Sequence, residues 1–461
     1  MRGAHRLRLR PIAYLFLLAV YAFSVIMAAT SADTLYGGGR ILSHVTAAWV
    51  WEALPWLVAC STAFVLARFR AFRRNGVQLA IMMVVSGALS IWLVMQPLSY
   101  SLDVLRYLWD GRLLAHGVNP YAYVPQDPHL HSLQQWPYWG WMGWKNWPEA
   151  YPPLAQIYFG AIALFTGGTV VQYKLWMLLN GAVSVWLFHR VLAKRRAAQG
   201  GSGLTEWDRQ RFNLFLLLPP LIVEAFGSAH VDAFAIPWML LAWLYRLQNQ
   251  PKRMAVAIAM ATCIKTYPIV LLAAFLHREN RREAVQVVAV CLLTIAVSYG
   301  LFAGAGWRVF AFFTKMPQME YNGSLEYTLA KAFGSVISNH ATLLVALAAL
   351  GMASALWFTR LRHVTVERKV CLLGLAFLLS SPVLHPWYLL PLLPFAVVAD
   401  DAATLWLAVF SHLIADEVPL DMYLEYVPTY GLLLRQLRVY WVNVSTAAAV
   451  IPMNRSGSSS R

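Results

Sequence analysis

The sequence predicts an all-α polytopic membrane protein, on the evidence of its composition, its long apolar runs and the placement of its basic residues. Of its 461 residues, 59% are hydrophobic and 13% are charged, and the mean hydropathy is +0.53. Soluble domains carry about 25% charged residues, whereas repeated apolar runs near 20 residues long are typical of membrane-spanning helices. The net charge of +16 is spread over short clusters between these runs, which indicates membrane-protein loops and argues against nucleic-acid binding.

The first three apolar runs, residues 11–29, 50–67 and 77–98, set the predicted orientation. Arginine-rich clusters at 2–10 and 68–74 precede the first run and follow the second, so the positive-inside rule places both clusters in the cytoplasm. The N-terminus is therefore predicted to be cytoplasmic, and the first run to be an uncleaved helix rather than a signal peptide. The third run then delivers the chain to the outer face.

The remaining chain predicts a bundle of about 11 to 13 transmembrane helices. To keep the basic clusters 194–196 and 278–282 inside, run 153–167 is expected to be re-entrant or only part-crossing, and run 254–276 to be two half-helices broken at Pro268. The apolar runs after the third are 153–167, 172–192, 212–226, 231–247, 254–276, 284–304, 336–358, 370–383, 386–399 and 402–416.

The predicted organisation is one transmembrane domain over residues 1–420 with a large outer loop at 99–152. Residues 421–453 could hold one more span or an interfacial helix. The Ser/Gly/Arg-rich tail 454–461 is expected to be disordered.

A short helix is predicted at the start of the outer loop. Asp103, Arg106, Tyr107 and Asp110 fall at i, i+3, i+4 and i+7, which places them on one helix face. The opposite face is apolar, so we expect this helix to lie along the membrane surface with its carboxylates toward water or a cleft. A general base for chemistry on a membrane-borne substrate and a structural ion pair with Arg106 both explain this pattern.

Several polar residues lie inside or between the later apolar runs. Lys265, followed by Tyr267, is the strongest of them, because a lysine in an apolar run is costly and usually marks a pathway or an anion site. The alternative is a lysine that extends to the membrane surface. His385 reads either as a helix-end residue or as a phosphate contact.

Glu224, His230 and Asp232 occur together in the segment VEAFGSAHVDAF. They are weak candidates for metal ligands, because an HxD pair is a poor metal signal. A water-exposed turn between two spans is the alternative. Five tryptophans between residues 136 and 147 predict an aromatic belt at the lipid–water boundary, with sugar stacking as the second interpretation.

Five segments in order resemble motifs of bacterial membrane glycosyltransferases of the GT-C superfamily. The resemblance runs from about residue 95 to 400, and it is closest to the polyprenyl-phosphate-mannose-dependent mannosyltransferases, such as those of glycosyltransferase family 87. The segments are DVLRYLWDGRLLAHGVNPYAYVP, AYPPLAQIYF, GSAHVDAFAIP, IKTYPIVLL and SPVLHPWYLLPLLPF.

The resemblance implies a GT-C-type bundle whose first large outer loop is catalytic. It also implies transfer of a sugar, with mannose favoured, from a polyprenyl-phosphate donor to a glycan or glycolipid acceptor on the periplasmic side of a bacterial inner membrane. Asp103 matches the family's general base and would act in an inverting displacement, with Asp110 as a second candidate. Lys265, Arg106, His385 and Tyr267 would hold the donor phosphate, and the cavity residues would be Glu224, His230, Asp232, Tyr107 and Tyr151.

Some GT-C enzymes bind a divalent metal through an acidic pair spaced as in DxD, and the outer loop here lacks such a pair. The sequence therefore predicts transfer without a metal or other cofactor, with Asp110 and Asp127 as the nearby acidic alternatives. A flippase or other transporter for lipid-linked sugars is the alternative function, and a structural subunit of an envelope-assembly complex is a third. Transporters usually have paired halves, whereas the polar residues here gather on one predicted side.

Overall fold

The protein is mainly helical in the part of the chain that the structure describes. Those residues contain no β-strand, and an isolated bridge joins Arg8 to Arg70. This confirms the predicted all-α class. The predicted tail 454–461 lies outside the described residues. The computed structural model describes residues 8–36, 47–72, 75–98, 101–276, 280–315, 341–413 and 419–449.

The N-terminal half contains three long helices followed by the outer loop and its return into the bundle. A π-helical turn at Val223–Gly227 and a 3-10 turn at Val231–Phe234 connect its last two helices. The helices are α1 (Pro11–Tyr36), α2 (Ala47–Arg68), α3 (Asn75–Met95), α4 (Asp103–Ala115), α5 (His131–Gln134), α6 (Pro153–Thr166), α7 (Val170–Ala198), α8 (Glu206–Leu217), α9 (Pro219–Ile222) and α10 (Ala235–Leu247).

The C-terminal half alternates long helices with short helical segments. A 3-10 segment at Pro386–Leu392 introduces the final group of helices. The helices are α11 (Pro251–Thr262), α12 (Pro268–Phe275), α13 (Arg281–Gly300), α14 (Ala311–Lys315), α15 (Ala341–Phe358), α16 (Val366–Ser380), α17 (Leu393–Ala399), α18 (Ala402–Phe410) and α19 (Pro419–Ala449).

Four helices in the described residues are long and apolar enough to cross a membrane: Pro11–Thr30, Gly76–Met95, Val170–Ala198 and Arg281–Gly300. The pair Pro219–Gly227 and Val231–Leu247, bent by 108°, makes a fifth if it counts as one span. The chain is therefore a polytopic membrane protein. The other apolar helices are shorter, so the total of 11 to 13 crossings stays a prediction.

The two runs predicted to cross incompletely are both short or interrupted. Helix α6 has 14 residues, about 21 Å at 1.5 Å per residue, which is less than the ~30 Å hydrocarbon core of a bilayer. Run 254–276 is broken as predicted, since α11 ends at Thr262 and α12 begins at Pro268. Between them, the carbonyl oxygen of Cys263 accepts hydrogen bonds from the backbone N–H groups of Leu154 and Ala155, at the point where the chain returns from the outer loop.

The prediction that α4 lies along the membrane surface is wrong, although Asp103 at its start does face a cleft, one of the two predicted alternatives. Both faces of α4 are buried, and Asp110 has no exposed surface. One face packs on α6 at very short range, because a Cβ at Gly111 would collide with the Phe159 carbonyl and one at Gly160 with Leu114. The outer loop folds back over the polar face of α4 and buries it. Helical periodicity within α4 cannot predict this, because the covering residues lie elsewhere in the chain.

Lys174 of α7 connects the bundle to the start of the outer loop. Its Nζ donates hydrogen bonds to the carbonyl oxygens of Leu93, Gln96 and Pro97, at 3.2, 3.0 and 3.1 Å. The last carbonyls of a helix lack α-helical partners, although that of Leu93 also accepts a hydrogen bond from the Gln96 backbone N–H. A cation at this end complements the helix dipole. The fully buried lysine therefore fixes the end of α3, from which the chain passes to Asp103.

Candidate functional site

The outer loop and the break between α11 and α12 enclose a cavity of about 450 Å³. We call it the central cavity. Its walls combine polar residues with aromatic ones, and one side is formed by Phe312, Phe313 and Phe377. The predicted site residues that line it are Asp103, Arg106, Tyr151, Lys265, Tyr267 and His385.

Asp103 is the first residue of α4 and is half-buried at the cavity wall. Its backbone N–H donates to Ser101 Oγ at 3.1 Å, and its carboxylate lies at the positive end of the helix dipole. Burial raises the pKa of Asp103 above its ordinary value, while the charge of Lys265 opposes that rise. A carboxylate with these properties is suited to accept a proton from a substrate hydroxyl.

Lys265 extends from the helix break into the same cavity. Its Nζ lies 3.3 Å from Asp232 Oδ2, 4.3 Å from the centre of the Tyr388 ring and 5.5 Å from that of Tyr151. The side chain is only 17% exposed. A lysine that reached for the membrane surface would not be held by a buried aspartate, so the ammonium group belongs to the cavity.

Arg106 reaches the cavity wall, but its guanidinium is occupied by the protein. It donates to Asp110 Oδ1 at 3.2 Å, to Glu149 Oε2 at 2.9 Å and to the Trp144 carbonyl at 2.9 Å. Two longer contacts of 3.4 Å join it to the Trp147 carbonyl. All three guanidinium nitrogens are engaged, so this geometry favours a structural role over the predicted contact with a donor phosphate.

Asp110 does not reach the central cavity. It is fully buried beneath Arg106 and is absent from the cavity wall. Asp110 pairs with Arg106 on the same helix, and Arg106 in turn joins α4 to Glu149 of the outer loop. A structural role for the Asp110 carboxylate therefore fits better than a catalytic one.

Glu224 and His230 form a buried cluster behind the cavity, which contradicts the expected water-exposed turn. Glu224 Oε2 lies 3.2 Å from His230 Nε2, and Glu224 Oε1 lies 2.8 Å from His412 Nε2. The ring of His230 stacks on Trp387 at 3.7 Å, and Trp387 stacks on His385 at 4.3 Å. The cluster therefore packs behind Trp387 and supports the position of His385 in the cavity wall.

Tyrosines complete the wall on the Lys265 side. The hydroxyl of Tyr267 donates to the carbonyl of Tyr388 at 2.9 Å, and the hydroxyl of Tyr151 donates to that of Tyr107 at 3.3 Å. Tyr107 is fully buried and stacks on Phe159, so it supports Tyr151 from behind. Asp232 likewise acts through Lys265 rather than by lining the cavity.

Part of the tryptophan segment, residues 136–147, lies at the wall of the central cavity. Trp141 and Trp144 line the cavity while their side chains are 73% and 51% exposed. Trp144 has φ 57°, a conformation that is strained for a bulky residue. The sugar-stacking interpretation therefore gains a geometric basis at these two positions.

Sequence reasoning missed Glu149 and Tyr388. Glu149 is buried, accepts from Arg106, and accepts from the Tyr151 backbone N–H at 2.7 Å. The available sequence signal for Glu149 was that it is an isolated acidic residue among tryptophans and prolines. Tyr388, three residues after His385, had no charge or spacing to distinguish it from other aromatic residues near helix ends.

The model of glycosyltransferase family 87 matches residues 150–382, half of the 461-residue chain. The chain belongs to glycosyltransferase family 87. It is thus a membrane glycosyltransferase, which bears out the family resemblance. The matched range contains Lys265 and begins after Asp103. No curated protein and no solved structure matches the chain.

Proposed function

We propose that this family 87 glycosyltransferase transfers a sugar from a polyprenyl-phosphate donor to a glycan or glycolipid acceptor, with mannose as the first candidate sugar. The proposed site of transfer is the extracytoplasmic side of a bacterial inner membrane. The observation that carries the proposal is that Asp103 and Lys265 line one cavity. A carboxylate for the incoming hydroxyl and a cation for the departing phosphate are the two charged groups that this reaction needs.

In the proposed step, an acceptor hydroxyl oxygen attacks the anomeric carbon on the face opposite the phosphate. A new C–O bond forms, the bond from the anomeric carbon to the phosphate oxygen breaks, and its electron pair leaves with polyprenyl phosphate. The hydroxyl proton passes to the carboxylate of Asp103. Configuration at the anomeric carbon inverts, and the phosphate needs no proton to depart because it is a stable anion.

Lys265 is the proposed counter-ion of the departing phosphate. Asp232 holds its Nζ at 3.3 Å, and the face of the Tyr388 ring stabilises the cation, which keeps the lysine charged and positioned in a partly buried site. Charge-assisted hydrogen bonds of this kind are strong where water is excluded. His385 is the second candidate contact, and we propose no phosphate contact for Arg106.

The apolar side of the cavity suits a lipid-borne donor. Phe312, Phe313 and Phe377 offer a surface against which the first isoprene units could pack while the phosphate lies near Lys265. Trp141 and Trp144, at the exposed side, have the geometry to stack on a sugar ring. The apolar side of the cavity therefore suits a donor that enters from lipid, and the exposed side suits an acceptor that enters from water.

The test uses the full-length protein in nanodiscs with radiolabelled polyprenyl-phosphate mannose and a bacterial membrane extract as acceptor. Label transfer and release of polyprenyl phosphate are measured with and without a chelator. We expect transfer by the wild type, unaffected by chelator, and loss of turnover with retained donor binding in Asp103→Asn. Asp127→Asn is the matched comparison, because Asp127 lies in the same loop, pairs with His129 at 2.7 Å and does not line the cavity.

Full turnover in Asp103→Asn would remove Asp103 from the mechanism. Parallel reactions with glucosyl and arabinosyl donors identify the sugar if mannose is not transferred. Movement of labelled donor across a proteoliposome membrane without transfer would favour the flippase alternative, against which the family match already argues.

A further inference from the structure

A second cavity, of about 490 Å³, lies at the other end of α16 from the central cavity. Arg368, in the first turn of α16, lines the second cavity, whereas Ser381, directly after its last residue, lines the central one. At 1.5 Å per residue they are about 20 Å apart along the helix axis. We call it the arginine cavity, because four arginines line it: Arg195, Arg211, Arg368 and Arg435.

Two of these arginines have carboxylate partners across helices. Arg195 of α7 lies 3.0 Å from Glu367 of α16, and Arg211 of α8 lies 3.1 Å from Asp400. Both carboxylates line the cavity as well. These bridges join separate segments and hold two guanidinium groups at the cavity wall.

The other two arginines leave positive charge in excess. Among the described residues, no ion pair joins Arg368 or Arg435 to a carboxylate. Arg368 packs over the ring of Tyr440, at 4.8 Å from its centre, and Arg435 is exposed. A third carboxylate, Asp401, is buried behind the wall and interacts electrostatically with Arg368. Four guanidinium groups thus face two lining carboxylates and one buried one, and the remaining excess of positive charge favours an anionic ligand.

We propose that the arginine cavity binds the phosphodiester headgroup of an anionic phospholipid. Guanidinium groups match phosphate oxygens with two parallel hydrogen bonds, and basic cavities between transmembrane helices are typical of such headgroup sites. A phospholipid headgroup and free phosphate both carry the anionic phosphoryl group that such a site recognises. A lipid is the ligand we infer, because α19 places the exposed apolar side chains of Leu434 and Val439 beside Arg435, where acyl chains can cover them.

The ordinary positive-inside pattern does not account for this cavity. That pattern requires only basic residues in loops near helix ends. Here the four guanidinium groups come from four different helices, α7, α8, α16 and α19, and meet at one depression. Arg438, on the same helix as Arg435, is also exposed but does not line the cavity, so it separates the two explanations.

The test measures lipid binding to the full-length protein in detergent by thermal unfolding and by native mass spectrometry. The probes are phosphatidylglycerol, cardiolipin, phosphatidylcholine and inorganic phosphate. We expect the two anionic lipids to raise the melting temperature and to remain bound in the mass spectrometer, and phosphatidylcholine to do neither. Removing two cations in Arg368→Gln/Arg435→Gln should weaken anionic-lipid binding by roughly thirtyfold, and Arg438→Gln should bind like the wild type.

Equal losses of binding in the double variant and in Arg438→Gln would overturn the proposal in favour of general surface charge. Equal binding of phosphatidylcholine and phosphatidylglycerol by the wild type would also overturn it. If inorganic phosphate alone produced the whole stabilisation, the cavity would be a phosphate site and the lipid assignment would be wrong. Melting temperatures without added lipid show whether the variants fold. None of these outcomes depends on glycosyl transfer.

Discussion

Arg106 donates a hydrogen bond from Nη1 to the carbonyl oxygen of Trp144, 2.9 Å away and 38 residues later in the chain. Trp144 is the tryptophan with φ 57°, and it forms part of the wall of the central cavity. Strain of this kind costs about 1–3 kcal/mol and persists only where the surroundings enforce it. The buried Arg106 provides that enforcement and connects the helix that carries Asp103 to the loop that covers it.

Replacing Arg106 should therefore damage both stability and activity. In Arg106→Met, the carboxylates of Asp110 and Glu149 would remain buried without their cation, which should lower the free energy of unfolding by about 3–5 kcal/mol. Thermal unfolding in detergent measures the loss. Arg112→Met is the matched control on the same helix, because Arg112 donates one hydrogen bond of 3.3 Å to the Leu133 carbonyl. Equal melting temperatures for the two variants would contradict the structural role of Arg106.

The pH dependence of transfer should report the carboxylate of Asp103. Burial raises its pKa, and a general base works only when ionised, so the rate should fall as the pH falls through a pKa above the ordinary carboxylate value of about 3.9. Lys265 opposes the rise, so removal of its charge should move this acidic limb to higher pH. The measurement is the pH profile of kcat/KM for the wild type and Lys265→Met. A limb that stays in place, or moves to lower pH, would show that Asp103 is not the titrating base.

Gly111 should tolerate no side chain. A Cβ there would collide with the Phe159 carbonyl, so Gly111→Ala must push α4 away from α6. Overpacking of this kind costs about 1–3 kcal/mol, and the displacement of α4 should also lower kcat, since Asp103 begins the same helix. Gly87→Ala in α3 is the control, because nothing lies within 4 Å of its added Cβ. If both variants unfold at the wild-type temperature, the close contact between α4 and α6 is not needed.

Lys174 should contribute to stability through the end of α3. In Lys174→Met, the carbonyls of Leu93, Gln96 and Pro97 lose a shared charged donor in a buried place, at a cost of about 1–3 kcal/mol. We expect a lower melting temperature and, because α3 leads to Asp103, a lower rate. Lys194→Gln, an exposed lysine of the same helix α7, should change neither. A Lys174→Met protein as stable as Lys194→Gln would contradict the capping role.

Local sequence features anticipated much of the central site. The apolar runs predicted the helical class, and the proline at 268 predicted the break that carries Lys265 to the cavity. Burying an isolated lysine in an apolar run is so costly that a compensating site is expected, and Asp232 supplies it. Helical periodicity correctly grouped Arg106 with Asp110, but it could not show that the outer loop buries both.

What the sequence by itself determined is the membrane class, the break at Pro268, the family resemblance and the candidacy of Asp103 and Lys265. Those conclusions rest on hydrophobicity and on spacing within a few residues, both of which are visible in one dimension. Only the tertiary structure decided the partners of Arg106, the burial of Glu224 with His412, and the meeting of four arginines at the second cavity. Arg106 lies 38 positions from Trp144 and 43 from Glu149, and the geometry of such contacts depends on how whole helices pack, which no local pattern encodes.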